Sequence, residues 1–222
     1  MIKNIVFDLG GVLVDFNPEN YLNHIGFDKN DITLFTDIVF YSKEWSEYTT
    51  SKYTIKQTAE NIIKKYPQYE EKINRIIDNI DYKYILFEII NTAEYLKELK
   101  EEGYNIYVLS DLNIDSYKYN KQFKFFDMVQ GGVYSFEVGT TKPNGNNYKT
   151  LLEKYKLVPD ETIFIDDRFE NIKAANKFGI HGIHFTTLDE VKQQVDSLLC
   201  QRDCQIVQRN EEDVRNNEKV KH

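Results

Sequence analysis

The chain has 222 residues, 41% hydrophobic and 29% charged, with 28 Lys+Arg against 36 Asp+Glu for a formal charge of −8. At about 150 residues per domain this predicts one globular domain, or one carrying a sizeable insertion, and excludes a fibrous or wholly disordered chain. The acidic balance argues against nucleic acid and anionic membranes as partners, because phosphate backbones reward an excess of Lys and Arg. Small anionic substrates remain allowed, since they need only a local positive site. Two cysteines exclude a disulfide scaffold and fit a reducing compartment. The 16 tyrosines accompany a chain rich in Lys, Asn and Ile, so general composition explains them better than sugar stacking does.

The elements follow in chain order. Ile5–Asp8 is a short apolar run that reads as a strand buried on both faces, as in parallel sheets. The run before Asp8 is too short for a signal peptide, and nothing approaches the roughly 18 apolar residues of a membrane span; the expectation is a cytoplasmic protein. From Asp15 to Ile89 the pattern is helical, with Ile32, Leu34 and Phe35, then Ile55, Ala59, Ile62 and Ile63, then Ile73, Ile76, Ile77 and Ile80 at helical spacing. A helix over Thr92–Glu102 stops at Gly103. Strands are predicted at Ile106–Ser110 and Met128–Val129, and a helix at Asn147–Tyr155. A strand at Thr162–Asp166, a helix at Asn171–Phe178 stopped by Gly179, and a strand at Gly182–Phe185 complete the pattern.

This alternation predicts an α/β fold, a doubly wound and mainly parallel Rossmann-like sheet, built from residues 1–14 and 90–200. Residues 15–89 are expected to form a helical cap inserted after the first strand, over the carboxyl ends where ligands bind in such sheets. Residues 201–222 alternate charges with amides and read as a disordered or frayed tail. Cys200 and Cys204, four apart with only His222 nearby, do not make a zinc site.

Four segments fall at or just beyond predicted strand ends. In Phe7-Asp8-Leu9-Gly10-Gly11-Val12 the carboxylate offers a nucleophile or metal ligand, beside backbone N–H groups able to cradle a phosphate; a capping Asp in a tight turn is the plainer reading. In Leu109-Ser110-Asp111-Leu112-Asn113 the hydroxyl can donate to a phosphoryl oxygen or cap the next helix. In Thr141-Lys142-Pro143 a lysine beside a rigid proline suits neutralisation of an anion, or is a solvated loop lysine. Asp166-Asp167, followed by Arg168 and Asn171, places adjacent carboxylates after a buried strand, which is unfavourable unless a cation offsets them. Oxygen ligands without His or Cys point to Mg2+ rather than zinc.

In this order and spacing, Asp8, Ser110, Lys142-Pro143 and Asp166-Asp167 resemble the four motifs of the haloacid dehalogenase superfamily, over roughly residues 1–200. The wording Phe7-Asp8-Leu9-Gly10-Gly11-Val12, Ser135-Phe136-Glu137-Val138-Gly139 and Asn171-Ile172 is similar to its α-D-glucose-1-phosphate phosphatase-like subgroup. The resemblance implies a Mg2+-dependent phosphatase acting on a small phosphorylated metabolite, with a sugar phosphate among the candidates, as a monomer or homodimer. Asp8 would form an aspartyl-phosphate, and Asp8, the Gly10 carbonyl, Asp166 and Asp167 would hold the metal. Ser110 and Lys142 would hold the phosphoryl group, with Leu9, Gly10, Asp111 and Asn113 around it, and Trp45 or Tyr48 would reach the leaving group from the cap. Trp45 as an anchor of the cap's own core is the plainer reading.

Two positions depart from the superfamily. Gly10 replaces the Asp that usually protonates the leaving oxygen, a function worth about 10²–10⁴-fold, which favours better leaving groups and disfavours a mutase. Asp111 stands where the subgroup often has Asn, and a carboxylate there is unfavourable unless it turns away or binds a cation. A haloacid dehalogenase is the enzymatic alternative, disfavoured because that chemistry needs no metal and so no Asp166-Asp167 pair. A phosphosugar-binding pseudoenzyme has no use for Asp8.

Overall fold

The computed structural model describes residues 1–199. The chain opens with β1 (Asn4–Phe7), turns at Gly10-Gly11 and forms β2 (Val14–Phe16). A helical run follows, α1 (Pro18–His24), α2 (Lys29–Phe35), α3 (Lys43–Thr49), α4 (Ile55–Lys65) and α5 (Glu70–Asp78), before β3 (Leu86–Glu88) returns antiparallel to β2. Then come α6 (Ile90–Glu101), β4 (Asn105–Ser110), α7 (Ile114–Asn120), β5 (Gly131–Tyr134), the short α8 (Ser135–Val138), α9 (Gly145–Tyr155), β6 (Thr162–Asp166), α10 (Phe169–Lys177) and β7 (His181–His184). A last helix covers residues 188–199. Among the described residues no helix is long and apolar enough to cross a membrane.

Side chains explain where the inserted helices begin. Asp28 accepts from the Asn30 and Asp31 amides at the start of α2, and Ser42 from the Trp45 amide at the start of α3. Thr54 and Gln57 form a reciprocal capping box on α4.

The main sheet has the order β5-β4-β1-β6-β7 and every pairing in it is parallel. Alternate residues of its central strands enter two different cores. Ile5, Phe7, Ile106, Val108, Ile163 and Ile165 join the core shared with the inserted helices. Val6, Tyr107, Leu109 and Phe164 join the one beneath α9 and α10. Both faces are therefore buried, which is why these strands read as unbroken apolar runs. The chain leaves β1 for β4 on one side and later returns to β6 on the other. The carboxyl end of β1 is thus a topological switch point, where such sheets bind ligands.

One predicted element needs correction, and two others have no counterpart in the sequence pattern. Met128–Val129 is no strand: Met128 ends a 3-10 turn, and the strand is Gly131–Tyr134. Its two glycines hid it, because they carry little β-propensity; they are required because Cβ atoms there would collide with the Tyr155 and Tyr134 rings. The β2–β3 ribbon was also unseen, each strand being three residues long. A single π-helical turn over Thr36–Phe40 bridges toward α3 and left no signal in the apolar spacing. Residues 201–222, Cys200 and Cys204 lie outside the described residues.

Candidate active site

β4, β1 and β6 are neighbours in register, Phe7 pairing with Val108 on one side and Ile165 on the other. That register brings Asp8, Ser110 and Asp166 together at one sheet edge, although more than a hundred positions separate the first from the second in the chain. Asp8 and Asp166 are buried, and with the exposed Asp167 they place one carboxylate oxygen each within 4.8 Å of one another.

Lys142 arrives from the segment between α8 and α9 and is buried among them. Its ammonium lies 2.9 Å from Asp8 Oδ2 and 2.6 Å from Asp166 Oδ2, and donates to the Leu109 carbonyl at 3.0 Å. All three of its protons are therefore engaged by the protein, so contact with a phosphoryl oxygen means exchanging one of these partners. The carboxylates are held as firmly. Asp8 Oδ1 accepts from the Leu9 amide at 2.7 Å, so each of its oxygens has a fixed partner. Asp166 accepts from Asn171 Nδ2 at 2.9 and 3.0 Å and from the Arg168 amide at 2.8 Å.

Asp111 receives a structural explanation here. Both its oxygens accept from the Lys142 backbone amide at 3.0 Å, so it braces the loop that carries the lysine. Gly11, at φ +70°, approaches Asp167 so closely that a Cβ would drive into its carboxylate. A Cβ at Gly10 would meet nothing within 4 Å, so no steric conflict forces glycine there.

The charge balance is unfavourable as it stands. Four carboxylates, Asp8, Asp111, Asp166 and Asp167, face one buried ammonium and the exposed Arg168. Burial pushes the Asp8 carboxyl well above its ordinary value, Asp166 adding to the rise and Lys142 opposing it. Burial raises Asp111 and Asp167 too, and Asp166 adds to both. Burial works against the Lys142 charge, yet Asp8, Asp166 and Asp111 outweigh it and hold the ammonium above its ordinary range. A hard divalent cation among the three clustered carboxylates relieves this excess, and an all-oxygen donor set fits Mg2+.

The inserted helices close over this edge through three hydrogen bonds. Tyr48 Oη donates to Asp115 Oδ2 at 2.7 Å, Tyr82 Oη to Asn113 Oδ1 at 2.9 Å, and Ser135 Oγ to the Thr49 carbonyl at 2.7 Å. Between insertion and strand ends is a cavity of about 80 Å³ that includes Leu9, Gly10, Ser110 and Trp45 in its wall. Trp45 packs 4.8 Å from Phe40 and 5.5 Å from Tyr48, ring centre to ring centre, and also lines the cavity. Asn113 is tied down by its oxygen. Its Oδ1 caps α7 through the Asp115 and Ser116 amides and also accepts from Tyr82. Asn171, Tyr82 and the Leu109 carbonyl are not singled out by sequence as site residues; Tyr48, read from sequence as an alternative to Trp45 for the leaving group, bonds Asp115 instead. Only Asn171 had a signal, its fixed offset from the acidic pair.

Comparison with known proteins fits this geometry. A family profile described as haloacid dehalogenase-like hydrolase matches residues 2–179. The D-ribitol-5-phosphate phosphatase of Bacteroides thetaiotaomicron is 24% identical over 194 residues, 81% of this chain and 89% of that protein. The glyceraldehyde 3-phosphate phosphatase of Pyrococcus furiosus is 24% identical over 197 residues, 83% and 80% of the two chains. A sesquiterpene phosphatase of Aspergillus oryzae is 30% identical over 105 residues, 45% of this chain; the match spans about half of that relative, 54% of its length. Among solved structures, a haloacid dehalogenase family enzyme of B. thetaiotaomicron in complex with magnesium and inorganic phosphate superposes with TM-score 0.66 at 22% identity, covering 86% of this chain and 99% of that one. The L-2-haloacid dehalogenase of Xanthobacter autotrophicus shares the fold at TM-score 0.63 and 17% identity, over 89% and 83% of the chains. With its family match spanning most of the sequence and its acidic cluster at the expected switch point, this chain belongs to the haloacid dehalogenase-like hydrolases.

Proposed function

We propose that the protein is a Mg2+-dependent phosphomonoester hydrolase for a small phosphorylated metabolite, working through an aspartyl-phosphate on Asp8, with residues 15–89 as the cap over the site. The observation that carries this reading is the convergence of Asp8, Asp166 and Asp167 within 4.8 Å around the buried Lys142 ammonium. The full-length phosphatase relatives support it.

Asp8, Asp166, Asp167 and the Gly10 backbone carbonyl would hold the metal. When bound, Mg2+ supplies positive charge that offsets the carboxylates and the phosphoryl oxygens. The chain's own residues do the rest by position. The Leu9 amide and Lys142 fix the rotation of the Asp8 carboxylate, so that an oxygen attacks phosphorus as the bond to the leaving alcohol breaks. Ser110, at the tip of β4, donates to a phosphoryl oxygen. Asn171 and the Arg168 amide hold Asp166 against rotation, and Asp111 holds the backbone that delivers Lys142. Water then attacks phosphorus, breaking its bond to Asp8 and releasing inorganic phosphate. With Gly10 in the usual acid position, the leaving oxygen takes its proton from water.

The test is phosphate release from a panel of phosphomonoesters and acetyl phosphate, with Mg2+ or with EDTA. Activity should require Mg2+, and Asp8→Asn should lower kcat on the order of 10⁴-fold or more, as loss of a covalent nucleophile does. Turnover that survives Asp8→Asn, or that ignores EDTA, overturns the mechanism. Halide release from 2-haloacids without phosphate release would favour the dehalogenase reading instead.

A further inference from the structure

The cavity of about 80 Å³ between the inserted helices and the strand ends borders Asp8 through its neighbours Leu9 and Gly10, and Ser110 adds to the same wall. Among the described residues, no Asp, Glu, Lys, Arg or His lines it. Leu9, Leu86 and Leu112 supply apolar surface. The hydroxyls of Thr49 and Ser116, also in the wall, already donate to the carbonyls of Ser46 and Asn113 at 2.7 and 2.9 Å. The space beside the nucleophile therefore offers an entering group apolar contact and no ionisable side chain to take its proton.

The carboxylates of the sheet edge do not make up for this. Both Asp111 oxygens accept from the Lys142 amide. Both Asp166 oxygens accept from Asn171, with the Lys142 ammonium and the Arg168 amide as further partners. Asp167 is assigned to the metal. His184 lies beside the cluster, but its Nε2 is held 2.9 Å from the Asp167 carbonyl and its ring does not line the cavity.

In an in-line displacement the entering group attacks from the side that the leaving group has vacated. Alcohol and water then meet an aspartyl-phosphate on Asp8 on equal chemical terms, since each must lose its proton to solvent without help from a side chain. Binding in the cavity decides between them. Each CH2 group that an alcohol buries against the wall is worth about fourfold, and water gains nothing of the kind.

We infer that the protein is also a phosphotransferase, passing the phosphoryl group from Asp8 to short uncharged alcohols that fit the cavity. The alcohol oxygen bonds to phosphorus, and the bond from phosphorus to Asp8 breaks with its electron pair returning to the carboxylate. The alcohol's proton passes to water. The product is a new phosphate monoester, with no inorganic phosphate formed in that turnover. This inference rests on the phosphatase reading and adds an activity to it.

The test uses the full chain with Mg2+ and acetyl phosphate as donor, in methanol, ethanol or propan-1-ol at equal molar concentration. Phosphorus NMR reads alkyl phosphate against inorganic phosphate, with Asp8→Asn giving the background; the ratio cancels any general effect of the alcohol on rate. Alkyl phosphate should exceed the alcohol's molar share against water. That excess should rise by about three- to fourfold per CH2 group, and so by about tenfold from methanol to propan-1-ol. Leu86→Thr and Leu112→Thr each put a hydroxyl into the apolar wall and should flatten the rise; if either does not fold, the wild-type series decides alone. Phosphate release with alkyl phosphate at or below the molar share, or a share that does not rise with chain length, overturns the inference while upholding the phosphatase. A rise unchanged in both variants overturns the cavity as the acceptor site. No product above background from acetyl phosphate overturns the phosphatase reading, and this inference with it.

Discussion

The sheet edge and the cavity above it are adjacent and built on opposite principles. At the edge, charge is concentrated: Lys142, from the segment between α8 and α9, lies 2.6–2.9 Å from buried Asp8 and Asp166, which parallel register brings side by side at their strand ends. In the cavity no charged side chain lines the wall among the described residues, and the walls come partly from an insertion joined to the sheet by hydrogen bonds involving Tyr48, Tyr82 and Ser135. The edge suits a reaction whose transition state is mainly a distribution of negative charge. The cavity suits discrimination between uncharged groups by shape and apolar contact. The difference teaches that, on the proposed reading, chemistry and selectivity fall to separate layers, so that each should be open to perturbation without the other.

The largest effect should come from removing the charge at the centre of the edge. Lys142→Met leaves the carboxylates without their buried partner, a class of change that costs about 3–5 kcal/mol. Chemical denaturation should show that loss, and phosphate release should fall for every substrate alike. A variant that keeps wild-type stability would mean that the cluster is not held by the lysine.

Gly10→Asp tests the boundary between the two layers. The position has room for a side chain, and a carboxyl there would supply the missing proton donor. Turnover of alkyl phosphates should rise by about 10–100-fold, within the usual range for general acids, with a smaller gain for acetyl phosphate, whose leaving group needs no proton. Equal gains for both would break the link between glycine and leaving group.

Metal and pH should act on the edge alone. A carboxyl whose folded value is raised stabilises the fold fully below its unfolded value and loses that contribution as pH climbs through the folded one. For Asp8 the window runs from its ordinary 3.8 to about 8, and Asp111 and Asp167 shift in the same direction. In EDTA, therefore, the protein should lose stability between about pH 4 and 8. Mg2+ competes with those protons, so its stabilisation should grow over the same range. At a hundredfold excess over Kd it is worth about 2.7 kcal/mol, or roughly 5–10 °C in Tm for a chain of this size. A Mg2+ shift larger at pH 5 than at pH 8 would contradict the assignment.

Tyr48→Phe should have the smallest effect and act on the cavity layer. Losing its bond to the Asp115 carboxylate removes about 1.5–3 kcal/mol at most. The expected sign is a several-fold higher KM for an alkyl phosphate, with a smaller change for acetyl phosphate. A uniform drop in kcat would show that the two layers are coupled after all.

The same division separates what was legible in the sequence from what was not. Strand residues such as Ile5–Phe7 and Ile163–Ile165 announced themselves because both their faces are buried, and Asp8, Ser110, Lys142 and Asp166-Asp167 stood at strand ends in a recognisable order. Gly131–Tyr134 did not announce itself, because its glycines serve the neighbouring tyrosine rings rather than strand propensity. Asp111 looked like an anomaly because its partner is a backbone amide 31 positions away. That Asn113 Oδ1 caps α7 and accepts from Tyr82 was equally invisible, because Tyr82 lies 31 positions away.

The amino-acid sequence by itself determined the parallel sheet, the position of the insertion and the acidic and basic residues of the edge, because burial pattern and motif order are local or ordered properties of the chain. Only the tertiary structure decided that all three Lys142 protons are engaged, that Asp111 braces its loop, and that among the described residues no charged side chain lines the cavity. Those are properties of contacts between residues far apart in the chain, and they exist only once strand register and helix packing have brought the residues together.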